Sequence, residues 1–186
     1  MQTRTSQTEI AVLGGLSVEP MTGYALRQAI RDVLGNFWSE SFGQIYPALA
    51  RLQRAGHVTR RRTGRAGAAP YAITAAGRSR LAELLKQPIR SAPPRNGLLL
   101  RLFFGRQLGP DACRALVERA KAEAEDRLAE LAAVRRELEG DRDHDPDRPY
   151  FLLTVSAGEH GARATIAWAE EARAGLEAIK RLPQPS

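Results

Sequence analysis

FWSESFGQIYPALARLQRAGHV, residues 37–58, decides the fold of this 186-residue chain. Ser41 is followed three residues on by Gln44, the spacing of a capping box. In that motif the hydroxyl accepts a first-turn N–H and the amide side chain reaches back. Ile45, Leu49 and Leu52 then recur at helical spacing and mark a buried stripe. Gly56 supplies a left-handed stop. The pattern predicts a short amphipathic helix over residues 41–55. Its outer face carries Gln44, Tyr46, Arg51 and Arg54, side chains suited to phosphates and base edges. Pro47 lacks an N–H and costs about 3 kcal/mol inside a helix. Either regular hydrogen bonding starts only near Gly43 or Gln44, leaving Pro47 in the first turn, or the helix bends there. The first reading is preferred.

Two more helices are expected upstream. Residues 8–16 carry Ile10, Val12, Leu13 and Leu16, with Thr5, Ser6 or Thr8 as the cap. After a turn containing Pro20, Thr22 caps a second helix reaching about Leu34, with Tyr24, Leu26, Ile30 and Val33 or Leu34 inward. Gly35 and Asn36 end it. Trp38 packs beneath the third helix, as large aromatics are mostly buried. Downstream, HVTRR (57–61) and PYAIT (70–74) read as two strands around the small-residue loop RTGRAGAA (62–69). The hairpin tip is basic, with Arg60, Arg61, Arg62 and Arg65. Thr74 caps a fourth helix, with Leu81, Leu84 and Leu85 apolar. Three helices, a basic hairpin and a further helix follow the order of a winged helix-turn-helix. There the third helix enters the major groove and the wing lies on the adjacent backbone. An arginine-tipped wing binds phosphates whatever the sequence; a merely solvated hairpin is the plainer alternative.

Charge supports the division. Residues 1–87 hold twelve Arg/Lys and five Asp/Glu, whereas residues 88–186 hold sixteen of each. The whole +7 excess lies in the first half. A codon preference explains 25 Arg against three Lys, but not this asymmetry. A basic half on a neutral scaffold suggests an anion-binding module. No apolar run approaches the roughly 20 residues of a membrane span, and the first residues, MQTRTSQTEI, lack the apolar core of a secretion signal. A cytoplasmic protein without membrane partners is expected. The single cysteine, Cys113, excludes an internal disulfide and reads as a buried thiol.

PIRSAPPRNG (88–97) is a linker by composition. Residues 98–104, LLLRLFF, predict a fully buried helix. A long helix runs from Pro110 to about Gly140, with Cys113, Val117, Ala120, Ala124, Leu128, Leu131 and Leu138 as its stripe. A last helix runs from near Tyr150 to about Leu182, with Leu153, Ala157, Ala164, Trp168, Leu176 and Ile179 apolar. Such helices leave apolar surface that a symmetric dimer covers. Asp141, Asp143, His144, Asp145 and Asp147 crowd the loop between them. The loop lacks the glycine and terminal glutamate of a calcium hand, so a solvated acidic turn is expected and no metal. The fold class is thus mostly α with a small β-hairpin. Residues 1–87 form the winged helix-turn-helix, 88–97 the linker, and 98–186 a helical dimerisation domain that also offers an effector site.

The blocks LGGLSVEPMTGYAL (13–26), FWSESFGQIYPALARLQRAGHV (37–58) and YAITAAGRSRL (71–81) resemble PadR-family transcriptional regulators. Gly23 and Tyr24 match the family's Gly-Tyr, and Tyr46 and Pro47 its Tyr-Pro. Ile73, Thr74 and Gly77 match its Leu-Thr-x-x-Gly. Residues 98–105 and 150–172 resemble the C-terminal domain of the longer subgroup, related to virulence-gene activators. Two departures stand out: Leu84 replaces a tryptophan common in relatives, and the loop 62–69 is unusually rich in small residues. The resemblance implies a dimeric regulator, in most members a repressor, in some responsive to phenolic acids, drugs or other small aromatic molecules.

From these readings, a homodimer binds a near-palindromic operator in double-stranded DNA. Gln44 and Tyr46 reach base edges or nearby phosphates. Arg51, Arg54, Arg60, Arg61, Arg62 and Arg65 bind the backbone. Thr22 and Tyr24 stand at a helix start, where N–H groups attract phosphate; a core-packing Tyr24 is the equal alternative. Trp168 with Phe103, Phe104 or Tyr150 forms the candidate effector site, against plain helix packing. No cofactor is expected. The chain has no Walker motif, dinucleotide fingerprint, H-E-x-x-H or G-x-S-x-G, which excludes the common enzyme classes. Activation instead of repression, regulation without a ligand, and a helical protein-interaction module without DNA binding are the other readings.

Overall fold

The computed structural model describes residues 4–34, 38, 42–60, 69–89, 96–140 and 145–181. It divides into two compact units, Met1–Ala92 and Pro93–Ser186.

In the first unit, α1 (Arg4–Val18), α2 (Gly23–Ala29) and α3 (Ile45–Arg54) precede an antiparallel pair, β1 (Val58–Arg60) and β2 (Tyr71–Ile73), and α4 (Ala75–Leu85). One core joins them: Val12, Leu13 and Leu16 of α1, Leu26 of α2, Ile45, Leu49 and Leu52 of α3, Val58 and Leu84 are all buried. Each such aliphatic side chain contributes roughly 1.5–3 kcal/mol by leaving water. Trp38 packs against this core as expected.

Three local expectations are corrected. α1 begins at Arg4, so Thr5, Ser6 and Thr8 lie inside it and none is its cap. Thr8 is instead buried. α2 gives way after Ala29 to a wider π-helical turn over Ile30–Leu34. Tyr24, expected inward, is 64% exposed, because it sits in the first turn of α2 on the side away from Leu26.

Thr74 joins the wing to α4. Its hydroxyl accepts the Gly77 N–H at 3.0 Å and donates to the Gly56 carbonyl at 2.8 Å. Thr74→Ala removes both bonds. The expected loss is about 1–2 kcal/mol of unfolding free energy in the first unit, read by urea denaturation. Thr74→Ser should recover most of it.

The second unit is a helical hairpin, α6 (Pro110–Gly140) and α7 (Arg148–Lys180), with α5 (Gly97–Phe103) packed near the start of α6. Cross-pairs fix the antiparallel register: Lys180–Asp111 at 2.7 Å, Lys121–Glu170 at 3.0 Å and Arg135–Glu159 at 2.9 Å. Cys113, Val117, Ala124 and Leu131 of α6 are buried, as the stripe predicts. The α7 stripe is corrected. Leu153, Ala157 and Ala164 are exposed, Ile179 is 50% exposed, and Trp168 and Leu176 are half-buried. The buried positions are Val155, Glu159, Ala162 and Ala169. The true seam runs through a carboxylate, which a search for apolar residues passes over.

Glu159 is only 6% exposed and takes two bonds from Arg135 and one from Arg163. The Arg135 hydrogen bonds hold its carboxyl below the usual carboxylate range, against the effect of burial. A depressed folded-state pKa gives stability that is present above the unfolded value and lost as pH falls through the folded one. The hairpin should therefore loosen on acidification below the ordinary value of 4.5. Glu159→Gln should flatten that acid limb in helicity-monitored melts.

Candidate nucleic-acid interface

α3 starts at Ile45, after a 3-10 turn over Phe42–Gln44. Pro47 therefore falls in the first helical turn, where its missing N–H costs nothing. Gln44 stands at the N-cap of α3 and makes no side-chain bond into the helix. Ser41, the other member of the expected capping box, lies outside the described residues. Gln44 is exposed at the helix start.

Ile45, Ala48, Leu49 and Leu52 turn inward. At about 100° per residue, Pro47, Ala50 and Arg54 stand opposite them. Tyr46 and Gln53, seven residues apart, share one shoulder and are exposed. Arg54 is exposed, with its Nε 3.4 Å from the Ala50 carbonyl. Arg51 is corrected. It borders the buried stripe, is only half-exposed, and its Nε is enclosed without a hydrogen-bond partner among the described residues. Gln53 is an exposed polar residue beside Tyr46 that the sequence reading does not select.

The start of α2 adjoins this face. Thr22 caps α2 by accepting the Ala25 N–H at 3.1 Å. The Tyr46 ring lies against the backbone of Gly23: a β-carbon there would fall 2.8 Å from its Cε1. Thr22 and Tyr24 therefore stand beside Tyr46, with Tyr24 64% and Tyr46 49% exposed. Two tyrosines left in water beside a helix start are more informative than exposed polar residues, since large aromatics are usually covered.

On the wing, Arg60 is exposed and its guanidinium lies 5.6 Å from the centroid of the Tyr71 ring. Arg61, Arg62 and Arg65 lie outside the described residues.

The four candidate effector residues do not converge within one chain. Phe103 and Phe104 meet edge to face at 5.1 Å but are 82% and 58% exposed, so the buried-helix expectation for residues 98–104 is corrected. α5 packs against α6 and has no buried residue of its own. Tyr150 opens α7 at the opposite end of the hairpin, beside Arg148, whose side chain bonds the Leu138 carbonyl. Trp168 lies about 27 Å further along α7 at 1.5 Å per residue. A cavity of about 530 Å³ does open between α6 and α7, lined by Leu102, Gly105, Arg106, Gly109, Pro110, Cys113, Val117, Ala172, Gly175, Leu176 and Ile179. Cys113 is buried, its Sγ 3.6 Å from the Gly105 carbonyl. In the acidic turn, Asp145 accepts the Asp147 N–H at 2.8 Å, while Asp141, Asp143 and His144 lie outside the described residues. Among the described residues no helix is long and apolar enough to cross a membrane.

With this geometry in hand, comparison with known proteins is direct. Residues 12–83 match the transcriptional regulator PadR-like family and residues 94–177 match the virulence activator alpha C-term family. The chain thus carries, ahead of a virulence activator alpha C-term domain, a domain of the PadR-like family of transcriptional regulators. Members of this family are regulators, not enzymes. The negative transcriptional regulator PadR of Bacillus subtilis is 26% identical over 176 residues, covering 90% of this chain and 96% of that protein. Its crystal structure with operator DNA has a TM-score of 0.75 at 24% identity, covering 90% of this chain and 98% of that one. The Vibrio cholerae virulence activator AphA has a TM-score of 0.73 at 25% identity, covering 92% and 99%. A PadR-like regulator from Bacillus cereus reaches 0.78 at 22% identity, covering 92% and 99%. The mostly helical winged fold with its two-stranded hairpin is thus the PadR-like fold.

Proposed function

We propose that this PadR-like regulator binds a near-palindromic operator as a homodimer and represses transcription there. Residues 1–87 contact the DNA, 88–97 connect, and 98–186 form the dimer. The observation that carries the reading is the α3 surface. Gln44, Tyr46 and Arg54 stand clear of the buried stripe, and Tyr46 lies against the start of α2 beside Thr22 and Tyr24. Gln44 and Tyr46 meet base edges or nearby phosphates. Arg54, Arg60, Arg61, Arg62 and Arg65 meet the backbone, and half-exposed Arg51 contributes from the flank. Two copies reach successive major grooves about 34 Å apart. Support also comes from the Bacillus subtilis relative, named a negative regulator and solved with operator DNA.

The dimer surface is the apolar ridge of α5. Leu99, Leu100, Phe103, Phe104 and Leu108 are all substantially exposed in the single chain. A contiguous patch of that kind marks an interaction site. Release by a small aromatic ligand is the second half of the proposal. It is supported by the Bacillus subtilis PadR structure with p-coumaric acid. Phe103 and Phe104 of one chain and Tyr150 or Trp168 of its partner are the aromatic walls such a site would use. Activation at the same operator is the second reading, favoured by the C-terminal match to virulence activators. A reporter fused to the region upstream of the chain's own coding sequence separates the two by the sign of its response to deletion.

The binding test uses that upstream duplex. Gln44→Ala should relax discrimination between operator and scrambled duplex by about 1–3 kcal/mol, the worth of a good base contact. Arg54→Ala and Arg61→Ala should weaken binding to both duplexes alike and reduce the salt slope by about 0.9 each. Parent-like binding by all three variants would remove α3 and the wing from the contact.

A further inference from the structure

The wing carries a contact that the general scheme of arginine on phosphate leaves unused. Tyr71 has a backbone neighbour on each edge, Met21 on one and Arg60 on the other. Its N–H donates to the Met21 carbonyl at 2.9 Å, and its own carbonyl accepts the Met21 N–H at 3.1 Å. Both of its backbone groups therefore face Met21, outside the hairpin. Its partner across the hairpin is Arg60. Because the Tyr71 backbone bonds point the other way, Arg60 and Tyr71 form a non-hydrogen-bonded pair, the kind that brings facing side chains closest. The same face carries Val58 and Ile73, which are in or against the core, and the Tyr71 ring packs beside them. The ring is thus fixed by a bridge, a ladder and a core contact together. Arg60, by contrast, is exposed, and its guanidinium rests 5.6 Å from the ring centroid, within cation–π range.

We propose that Tyr71 is a positioning residue for DNA binding: its core-anchored ring holds the Arg60 guanidinium in place at the root of the wing, so that Arg60 meets a backbone phosphate already ordered. A free surface arginine must surrender its rotamer freedom on binding. One laid on a fixed ring has surrendered much of it beforehand. This rests on the DNA-binding reading above and adds to it a residue whose own side chain need not touch DNA.

The test measures affinity for the upstream duplex across a salt series in the full-length protein and in Arg60→Ala, Tyr71→Phe, Tyr71→Leu and the Arg60→Ala/Tyr71→Leu double variant. Tyr71→Phe keeps the ring face and should keep the parent's affinity and slope. Tyr71→Leu keeps an apolar strand residue but no π face. It should lose about one phosphate's worth of salt slope, roughly 0.9, and bind about five- to tenfold more weakly, like Arg60→Ala. The double variant should be no weaker than Arg60→Ala alone, since both remove one contact. A purely structural role for Tyr71 would lower thermal stability and leave the slope where it was. A full slope in Tyr71→Leu overturns the inference while leaving the DNA reading intact. So does a Tyr71→Phe variant as weak as Tyr71→Leu. A parent that binds no duplex with a salt-dependent slope overturns the DNA reading and this inference with it.

Discussion

Gly77→Ala should destabilise the DNA-binding unit by about 3 kcal/mol or more and abolish duplex binding at ordinary temperature. Helix propensity alone points the other way, since alanine for glycine in a helix gains roughly 1 kcal/mol. Space decides the sign. A β-carbon at Gly77 would overlap the His57 carbonyl oxygen and press Ile73 Cγ1 at 2.8 Å. That carbonyl accepts the Thr74 N–H at 3.0 Å, in the first pairing of the hairpin. The oxygen cannot retreat without releasing β1 from β2, and a backbone group has no alternative rotamer. Overpacking commonly costs 1–3 kcal/mol where side chains can give, so this site belongs at the upper end or beyond. A unit of this size holds about 5–15 kcal/mol in total. Urea titration of the full chain should show the first unit unfolding early and the α6–α7 hairpin holding on. An unchanged first transition would mean that the approach of α4 to the turn after α3 is looser than described.

Phe103→Glu should yield a monomer in sedimentation and lower operator affinity by about a hundredfold or more. Phe103 is 82% exposed in the single chain, so the substitution removes little from the chain's own fold. Burying a phenylalanine against a partner is worth roughly 1.5–3 kcal/mol, and a symmetric interface counts the change twice. A carboxylate buried without a counter-ion reverses that gain and adds a desolvation penalty. Once the chains part, the second half-site no longer binds at the effective concentration set by the first, and avidity of about 10²–10⁴ is lost. Unchanged helicity would confine the effect to association. A variant that stays dimeric with full affinity would move the interface off α5.

The winged unit was legible because its signals are local. Gly56 has φ of +74°, as the stop after α3 demands. Thr22 and Thr74 cap the helices that their positions announce. Ile45, Leu49 and Leu52 bury as their spacing requires. Pro47, the awkward residue, is resolved by starting regular bonding one turn later. What could not be read were properties of neighbours in space. Tyr24 is exposed and Arg51 half-exposed, which the spacing of residues along one helix does not decide. The α7 seam was misplaced because Glu159 is tolerated inside only through Arg135, a residue on another helix. Residues 98–104 look like core in sequence and are exposed in a single chain; the proposed dimer would cover them. The candidate effector residues lie apart within one chain, and the proposed site between chains would leave no pattern within one.

Hydroxyl-radical footprinting of the upstream duplex with the full-length dimer tests the central claim most directly. The account predicts two protected patches on one face of the DNA, centred about one helical turn apart, both weakened when Gln44 and Arg54 are replaced by alanine. A single patch, or protection indifferent to those two residues, would contradict it.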